Sequence, residues 1–342
     1  GWAGMTSQNE QFGALAAALT AETLGLPGTA PEAVLAAQHK LLARQVLDRV
    51  APEANLRHQP LEAAYGDDIP AGLSYPAFVK PVKAAFSVLA RSVRNHADLH
   101  GHTRFGRREL WVIRRLVEPF EQVRRERLAH AGTAHRMMLE EPVPAHTPQF
   151  NLDGWVFDGR AHALGVVDAV MYPGTQAFMR WEFPSRLPTP VQARALDVAQ
   201  RFLSAIGFTH GLFNLEFFHD PVSGRLSVIE FNPRLASQFS DLYLKVSGVD
   251  PHALSLALAI GQDPLQVPRA EPVAGVAGSL VYRAFPGDPM PAMPGPWQVA
   301  RLRRARDDRD AQTARCARAK QSILASGPVP PGPPGRSRPG WP

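Results

Sequence analysis

Cysteine is almost missing: Cys316 is the one such residue in 342, which excludes an internal disulfide and a multi-cysteine zinc site. Its arginine-rich, weakly apolar surroundings suit neither burial nor a reactive thiol. There is no uncharged apolar run of about 18 residues, the length a membrane-spanning helix needs. The first residues also lack the basic stretch and apolar core of a secretory signal. A cytoplasmic protein without membrane contact is expected. The histidines, His96, His100 and His102 among them, have no partners at metal-ligand spacing and read as surface residues. A basic body is missing too, despite a net charge of +6. Residues 301–342 hold ten of the 37 Lys and Arg and three of the 31 acids, so residues 1–300 are close to neutral. That tail has no aromatic apart from Trp341, so nucleic acid is not an expected partner. Arg104 to Arg127 is interleaved with Glu109, Glu118, Glu121 and Glu126, the pattern of a solvated helix face.

What is present has the apolar share, 45%, of a folded globular chain. Asn9 to Leu24 is helical in pattern and breaks at Gly25-Leu26-Pro27-Gly28. Thr29 then suits a cap, with Pro31 and Glu32 in the first turn of a helix running through Lys40 to Val50. Residues 55–74 read as connection. Tyr75 to Pro81 reads as a strand with Phe86 to Val93 as its partner, and a polar helical region spans Asp98 to His130. Met137-Met138-Leu139 forms a short strand leading into Glu140-Glu141. Two further strands flank the hairpin turn Asp158-Gly159-Arg160. Thr189 opens a helix whose stripe is Val191, Leu196, Ala199, Phe202, Leu203 and Ile206, stopped at Gly207. Residues 326–342 contain seven prolines and cannot bury enough apolar surface to fold alone.

Gly211 to Arg234 carries the chemistry. Asp220-Pro221-Val222-Ser223-Gly224 separates two strand-like runs, and a turn centred on Ser223 sets Glu216 opposite Glu230 and Asn214 opposite Asn232. Those four share one face; Phe213, Leu215, Phe217, Ile229 and Phe231 form the other, apolar one. Two glutamates directly across a strand pair repel, so the arrangement calls for a cation. Carboxylates with an amide oxygen are hard ligands suited to magnesium, and Arg234 offers a planar fork for phosphate or carboxylate. A solvated surface hairpin is the bland alternative, and it leaves Asn232-Pro233-Arg234 without a role.

These residues resemble the magnesium signature of the ATP-grasp superfamily. The resemblance extends upstream. Phe78-Val79-Lys80-Pro81 is similar to the family strand whose lysine contacts nucleotide phosphates, and Lys40 to the helical lysine that does the same. Leu139-Glu140-Glu141 resembles the hinge whose backbone reads adenine, and Val246 to Asp250 the helix end beyond the signature. Gln149 stands where the family often has a ribose-binding acid, and Asp153 fits a ligand or a turn with Gly154 equally well.

The resemblance implies an α+β ATP-grasp fold, two subdomains with antiparallel sheets gripping ATP. Residues 29–136 would form the small subdomain and 137–295 the catalytic one, with residues 296–342 a tail. Residues 1–28 would match the last helix and link of a preceding α/β domain, which leaves activity of this chain alone open. It further implies Mg2+ (or Mn2+) held by Glu216, Glu230 and Asn232, phosphates held by Lys40 and Lys80, nucleotide contacts from Glu140, Glu141 and Gln149, and Arg234 steadying the transferred group. The implied reaction activates a small-molecule carboxylate as an acyl phosphate for an amine or similar nucleophile; a homodimer is compatible with it. A non-catalytic ATP-binding remnant is the second reading. One departure from the pattern is chemical: Lys83 to Leu89, where the family has a glycine-rich phosphate loop, contains no glycine.

Overall fold

The chain enters through α1 (Gly13–Leu24), stopped by Gly25 in a left-handed cap at φ 63°. This is seen in a computed structural model that describes residues 1–281 other than 65 and 85–88, with 283, 285 and 297. Two helices follow where the sequence predicts one, α2 (Pro31–Gln38) and α3 (Lys40–Val50). His39 separates them in extended conformation, and its Nδ1 accepts from the Leu42 N–H at 3.1 Å, capping α3. Thr29 does not cap α2; its hydroxyl accepts from the Thr209 N–H at 2.7 Å, tying the segment to the start of a later strand.

Next come β1 (His58–Ala64), β2 (Ala77–Pro81) and β3 (Arg91–Val93), then α4 (His96–Thr103), α5 (Arg107–Arg127) and β4 (Arg136–Glu140). The four strands make an antiparallel sheet ordered β1-β4-β2-β3. β4 lies inside this sheet and runs across position 137. β1 falls in a segment read as connection. It carries Pro60, which lacks a ladder donor and is tolerated because β1 is an edge strand. The partner strand expected from Phe86 is seen over Arg91–Val93; residues 85–88, and the tail from 296 except Trp297, lie outside the described residues.

A second antiparallel sheet contains β5 (Gln149–Phe157), β6 (Arg160–Met171) and β7 (Phe178–Phe183). After α6 (Thr189–Ala205) it continues with β8 (Gly211–His219) and β9 (Leu226–Asn232), and after α7 (Ser240–Ser247) and α8 (Pro251–Ala259) with β10 (Ala277–Leu280). Its order is β10-β7-β6-β5-β8-β9. Asp158 and Gly159, at φ 48° and 75°, make the two-residue turn with both φ values positive that suits strand twist.

One face of this sheet, with Leu152, Phe213, Leu215, Phe217 and Phe231, packs on α6 through Ala195, Val198, Ala199, Phe202 and Leu203. Val191, Leu196 and Ile206 lie at the margin of this contact rather than within it. Phe202 stacks on Phe231 with ring centroids 3.8 Å apart. Each fully buried ring or leucine contributes about 1.5–3 kcal/mol. Leu42, Val46 and Leu47 of α3 join the same core, so α3 is seated on the large sheet and its opposite side is free to meet the small one. Elements and sheets together make the expected α+β architecture, within a compact unit of residues 1–283.

Candidate functional site

Glu216 faces Glu230 across β8 and β9, and Asn214 faces Asn232. The predicted register therefore holds at these pairs, though not for the predicted reason. Nearer the turn the pairs are Phe217 with Val228 and His219 with Leu226, a shift of one residue. Ile229 is the extra residue of a bulge, and it compensates for a turn that is not centred on Ser223. Ile229 consequently leaves the core face, and Val228 takes its place among the buried side chains. A bulge of this kind re-aims the strand next to it; here it turns two carbonyls toward α3.

Those carbonyls receive cations. Arg44, 2% exposed, donates from Nη1 to the Val228 carbonyl at 2.7 Å and from Nη2 to that of Ile229 at 2.9 Å. Its Nε meets Glu140 Oε1 at 2.6 Å and its Nη1 also donates to Asn55 Oδ1 at 3.1 Å. Lys80, on β2, reaches the same Glu140 oxygen at 2.8 Å and the Ile229 carbonyl at 3.3 Å. Burial lowers the Lys80 ammonium to about 8 against the opposing pull of Glu140. Burial would raise the Glu140 carboxyl, but Arg44 and Lys80 outweigh it and hold it below the usual range. Sequence reasoning missed Arg44. The available signal was its spacing: it lies one helical turn beyond Lys40, on the same face.

Lys40, at the start of α3, places Nζ 2.8 Å from Glu230 Oε2 and donates to the Ala84 carbonyl at 2.9 Å. Burial opposes the Lys40 charge, yet Glu230 and Glu10 raise its affinity for the proton. The two facing glutamates diverge. Burial and then the charge of Glu230 push the Glu216 carboxyl up, whereas Lys40 and Lys80 overcome burial at Glu230 and hold it down. Gln149 donates from Nε2 to Glu216 Oε2 at 3.0 Å; the position expected near a ribose thus lies against the hairpin. Arg234 donates from Nη2 to Glu10, a residue absent from the sequence-based site. The Glu10 carbonyl accepts from Gln38 Nε2 at 2.7 Å and from Lys83 Nζ at 3.4 Å. Lys83 is buried at 2% exposed, lies 5.0 Å from the centre of the Phe120 ring, and burial lowers its ammonium to about 7.

Two expected positions take other roles in the backbone. The Glu141 N–H donates to the Arg57 carbonyl at 2.8 Å, and its side chain accepts from Arg57 and Arg225 at 2.9 and 2.6 Å. That N–H is therefore committed within the protein. Asp153 lies inside β5, wholly buried, rather than in a turn with Gly154. It accepts from Asn214 and Tyr243, and burial raises its carboxyl to about 7 despite them. Of the residues singled out in the sequence, Lys40, Lys80, Glu140, Glu216, Glu230, Asn232 and Gln149 are linked directly or through the Ile229 bulge; Arg234 joins them through Glu10, and Glu141 stands apart. Among the described residues no helix is long and apolar enough to cross a membrane.

Two antiparallel sheets bridged by buried cations, with paired carboxylates at the end of one hairpin, make up an ATP-grasp fold. It is 30% identical over 296 residues to carnosine synthase 1 of Gallus gallus, covering 81% of this chain and 30% of that protein. Its fold is similar to the L-amino acid ligase from Bacillus licheniformis, with a TM-score of 0.60 at 18% identity over 81% of this chain and 61% of that one. It is also similar to biotin carboxylase from Campylobacter jejuni, with a TM-score of 0.54 at 19% identity, covering 73% of this chain and 52% of that one. No protein-family model matches the chain. The chain thus spans under two thirds of each of these proteins.

Proposed function

We propose that this chain is the nucleotide-binding and catalytic core of an ATP- and magnesium-dependent ligase that joins a carboxylate to an amine or similar nucleophile. The observation that carries this reading is the Glu216–Glu230 pair with Asn232 beside it and Lys40, Lys80 and Arg234 around it. Like charges set across a strand pair are costly, and a bound cation reverses that cost. Among the described residues no three His, Cys, Asp or Glu side chains gather into a metal cage. Two carboxylates and an amide oxygen do fit magnesium, which takes its remaining ligands from water and nucleotide phosphates. When bound there, the ion supplies charge neutralisation for phosphoryl transfer.

The side chains supply the rest. Lys40 and Lys80 would hold phosphate oxygens. Arg234 would steady the transferred group. In the reaction so read, a carboxylate oxygen of the substrate bonds to the terminal phosphorus of ATP and the bond to the bridging oxygen breaks, releasing ADP. The amine then attacks the acyl carbon, inorganic phosphate departs with the C–O bond electrons, and the nitrogen loses a proton to solvent. Positioning and charge, more than a dedicated nucleophile, perform such a transfer. The names of these proteins, a synthase and a ligase, support this chemistry in its general form.

Calorimetric titration with ATP and magnesium, alongside a phosphate-release screen over pairs of carboxylates and amines, tests the proposal. Magnesium-dependent binding with amine-dependent phosphate release is expected. Binding without turnover under any pair would reduce the chain to a nucleotide-binding module, and absence of magnesium-dependent binding would overturn the site itself.

A further inference from the structure

A file of buried polar side chains runs from α7 to the hairpin, and it has a chemical direction. Tyr243 Oη donates to Asp153 Oδ2 at 2.8 Å, and Asn214 Nδ2 donates to Asp153 Oδ1 at 2.8 Å. Asn214 Oδ1 in turn accepts from Asn232 Nδ2 at 3.1 Å. Tyr243 and Asp153 have no exposed surface, and Asn214 and Asn232 are 1% and 2% exposed, so bulk water does not compete for these groups. An ionised carboxylate only accepts hydrogen bonds, whereas an amide has one end of each kind. Asp153 therefore turns the nitrogen of Asn214 inward and its carbonyl outward. That carbonyl does the same to Asn232, whose nitrogen is drawn inward, donating also to Glu216 Oε1 at 3.4 Å, and whose Oδ1 is left facing Glu10.

Turning the Asn232 amide over would let its nitrogen donate to Glu10 Oε1 at 3.0 Å. It would also set two carbonyl oxygens together, because Asn214 cannot follow without losing its donation to Asp153. The orientation kept by the file places acceptors of Asn232 and Glu10 face to face, an arrangement that a cation between them resolves.

We propose that Asp153 is a positioning residue that dictates, through Asn214, which end of the Asn232 amide is presented to the metal site. Tyr243 holds Asp153 in place. The inference rests on the magnesium assignment proposed above and extends it to residues that touch neither metal nor nucleotide. Partners of this outer kind typically change metal affinity about 10–100-fold when lost.

The test uses the full chain at pH 8, with magnesium titrated calorimetrically in the presence of a non-hydrolysable ATP analogue. Asp153→Asn keeps the shape but replaces an acceptor by an amide that can turn, and magnesium affinity is expected to fall about tenfold or more. Nucleotide affinity measured in EDTA should stay as in the unaltered chain. The exchange Asp153→Asn with Asn214→Asp restores the direction, since the carboxylate at 214 accepts from both neighbours. Magnesium affinity should then return to within roughly threefold. Tyr243→Phe, which leaves Asn214 oriented, should change it by less than about threefold. A purely structural role would lower the melting temperature of all three variants and leave magnesium affinity of the folded protein alone. Unchanged affinity in Asp153→Asn, or a double variant no better than the single, overturns the relay while the metal site stands. If the single variant does not fold, a folded double variant with near-native affinity supports the relay and one without it overturns it. Loss of magnesium dependence in the unaltered chain overturns both.

Discussion

Glu216 and Glu230 face each other across one strand pair, yet burial and its partner's charge push the first carboxyl up while Lys40 and Lys80 hold the second down. The surroundings thus push the two carboxyls of one pair in opposite directions. Replacing Glu230 by Gln should leave Lys40 without its counter-ion and remove magnesium-dependent nucleotide binding. Calorimetry with and without EDTA distinguishes this from a general loss of affinity; equal affinity in both conditions for variant and unaltered chain would refute the metal assignment.

Arg44 should matter to stability more than any cation at the surface. Removing one partner of a buried ion pair costs about 3–5 kcal/mol, and Arg44→Met would leave Glu140 half neutralised, the Val228 carbonyl without its Arg44 donor and the Ile229 carbonyl with Lys80 alone. Arg44→Lys is expected to recover little, because an ammonium cannot reproduce the planar fork. Urea unfolding midpoints measure both; a loss below about 1 kcal/mol for Arg44→Met would show the bulge carbonyls satisfied elsewhere.

His39 gives the fold a pH dependence whose sign is fixed. Burial, aided by Arg136 and Arg124, lowers its imidazole from 6.5 to about 4, so between those values the unfolded chain binds more protons. Stability from this residue is complete above pH 6.5 and declines as pH falls toward 4. Between pH 7.5 and pH 5 the loss is about 2 kcal/mol. His39→Asn keeps an acceptor for the Leu42 N–H and removes the titration. Its stability should decline less than that of the unaltered chain over this interval, as read by denaturant titration at the two pH values.

Gly154 tests the setting of Asp153. A side chain there would meet the His162 carbonyl at 2.3 Å and the Phe213 ring at 2.6 Å, at the irregularity between Asp153 and Gly154 in the β5–β6 pairing. Gly154→Ala is expected to destabilise by about 1–3 kcal/mol, the usual cost of overfilling a core. A melting temperature within a degree of the unaltered chain would show that the strands part there readily.

The Glu10 carboxylate is paired with Arg234. Neutralising it in Glu10→Gln removes a like charge beside any anion held by Arg234 and should strengthen binding of inorganic pyrophosphate several-fold. Weaker binding would instead place Glu10 among the residues that build the site.

Alternation made the hairpin readable, since Asn214, Glu216, Glu230 and Asn232 recur at every second position whatever the tertiary context. The bulge at Ile229 was not readable, because an extra residue in a strand leaves no mark on composition. Arg44 stayed hidden because an arginine on a helix is ordinary until a partner strand is known. The break at His39 is equally silent: no proline or glycine marks it, and its cause is the side-chain cap on Leu42. β1 was masked by Pro60, whose place on a sheet edge is decided by the neighbouring strands. Glu10 lies 224 residues from Arg234, a separation no local pattern spans.

The Ile229 bulge also has a mechanical consequence. Its carbonyl, with that of Val228, is grasped by Arg44 of α3 and Lys80 of the small sheet, and both cations close on Glu140. The sheets cannot separate at this corner without stripping buried charges of their partners. A single surplus residue in β9 thereby fastens the small sheet and α3 to the large sheet at one corner.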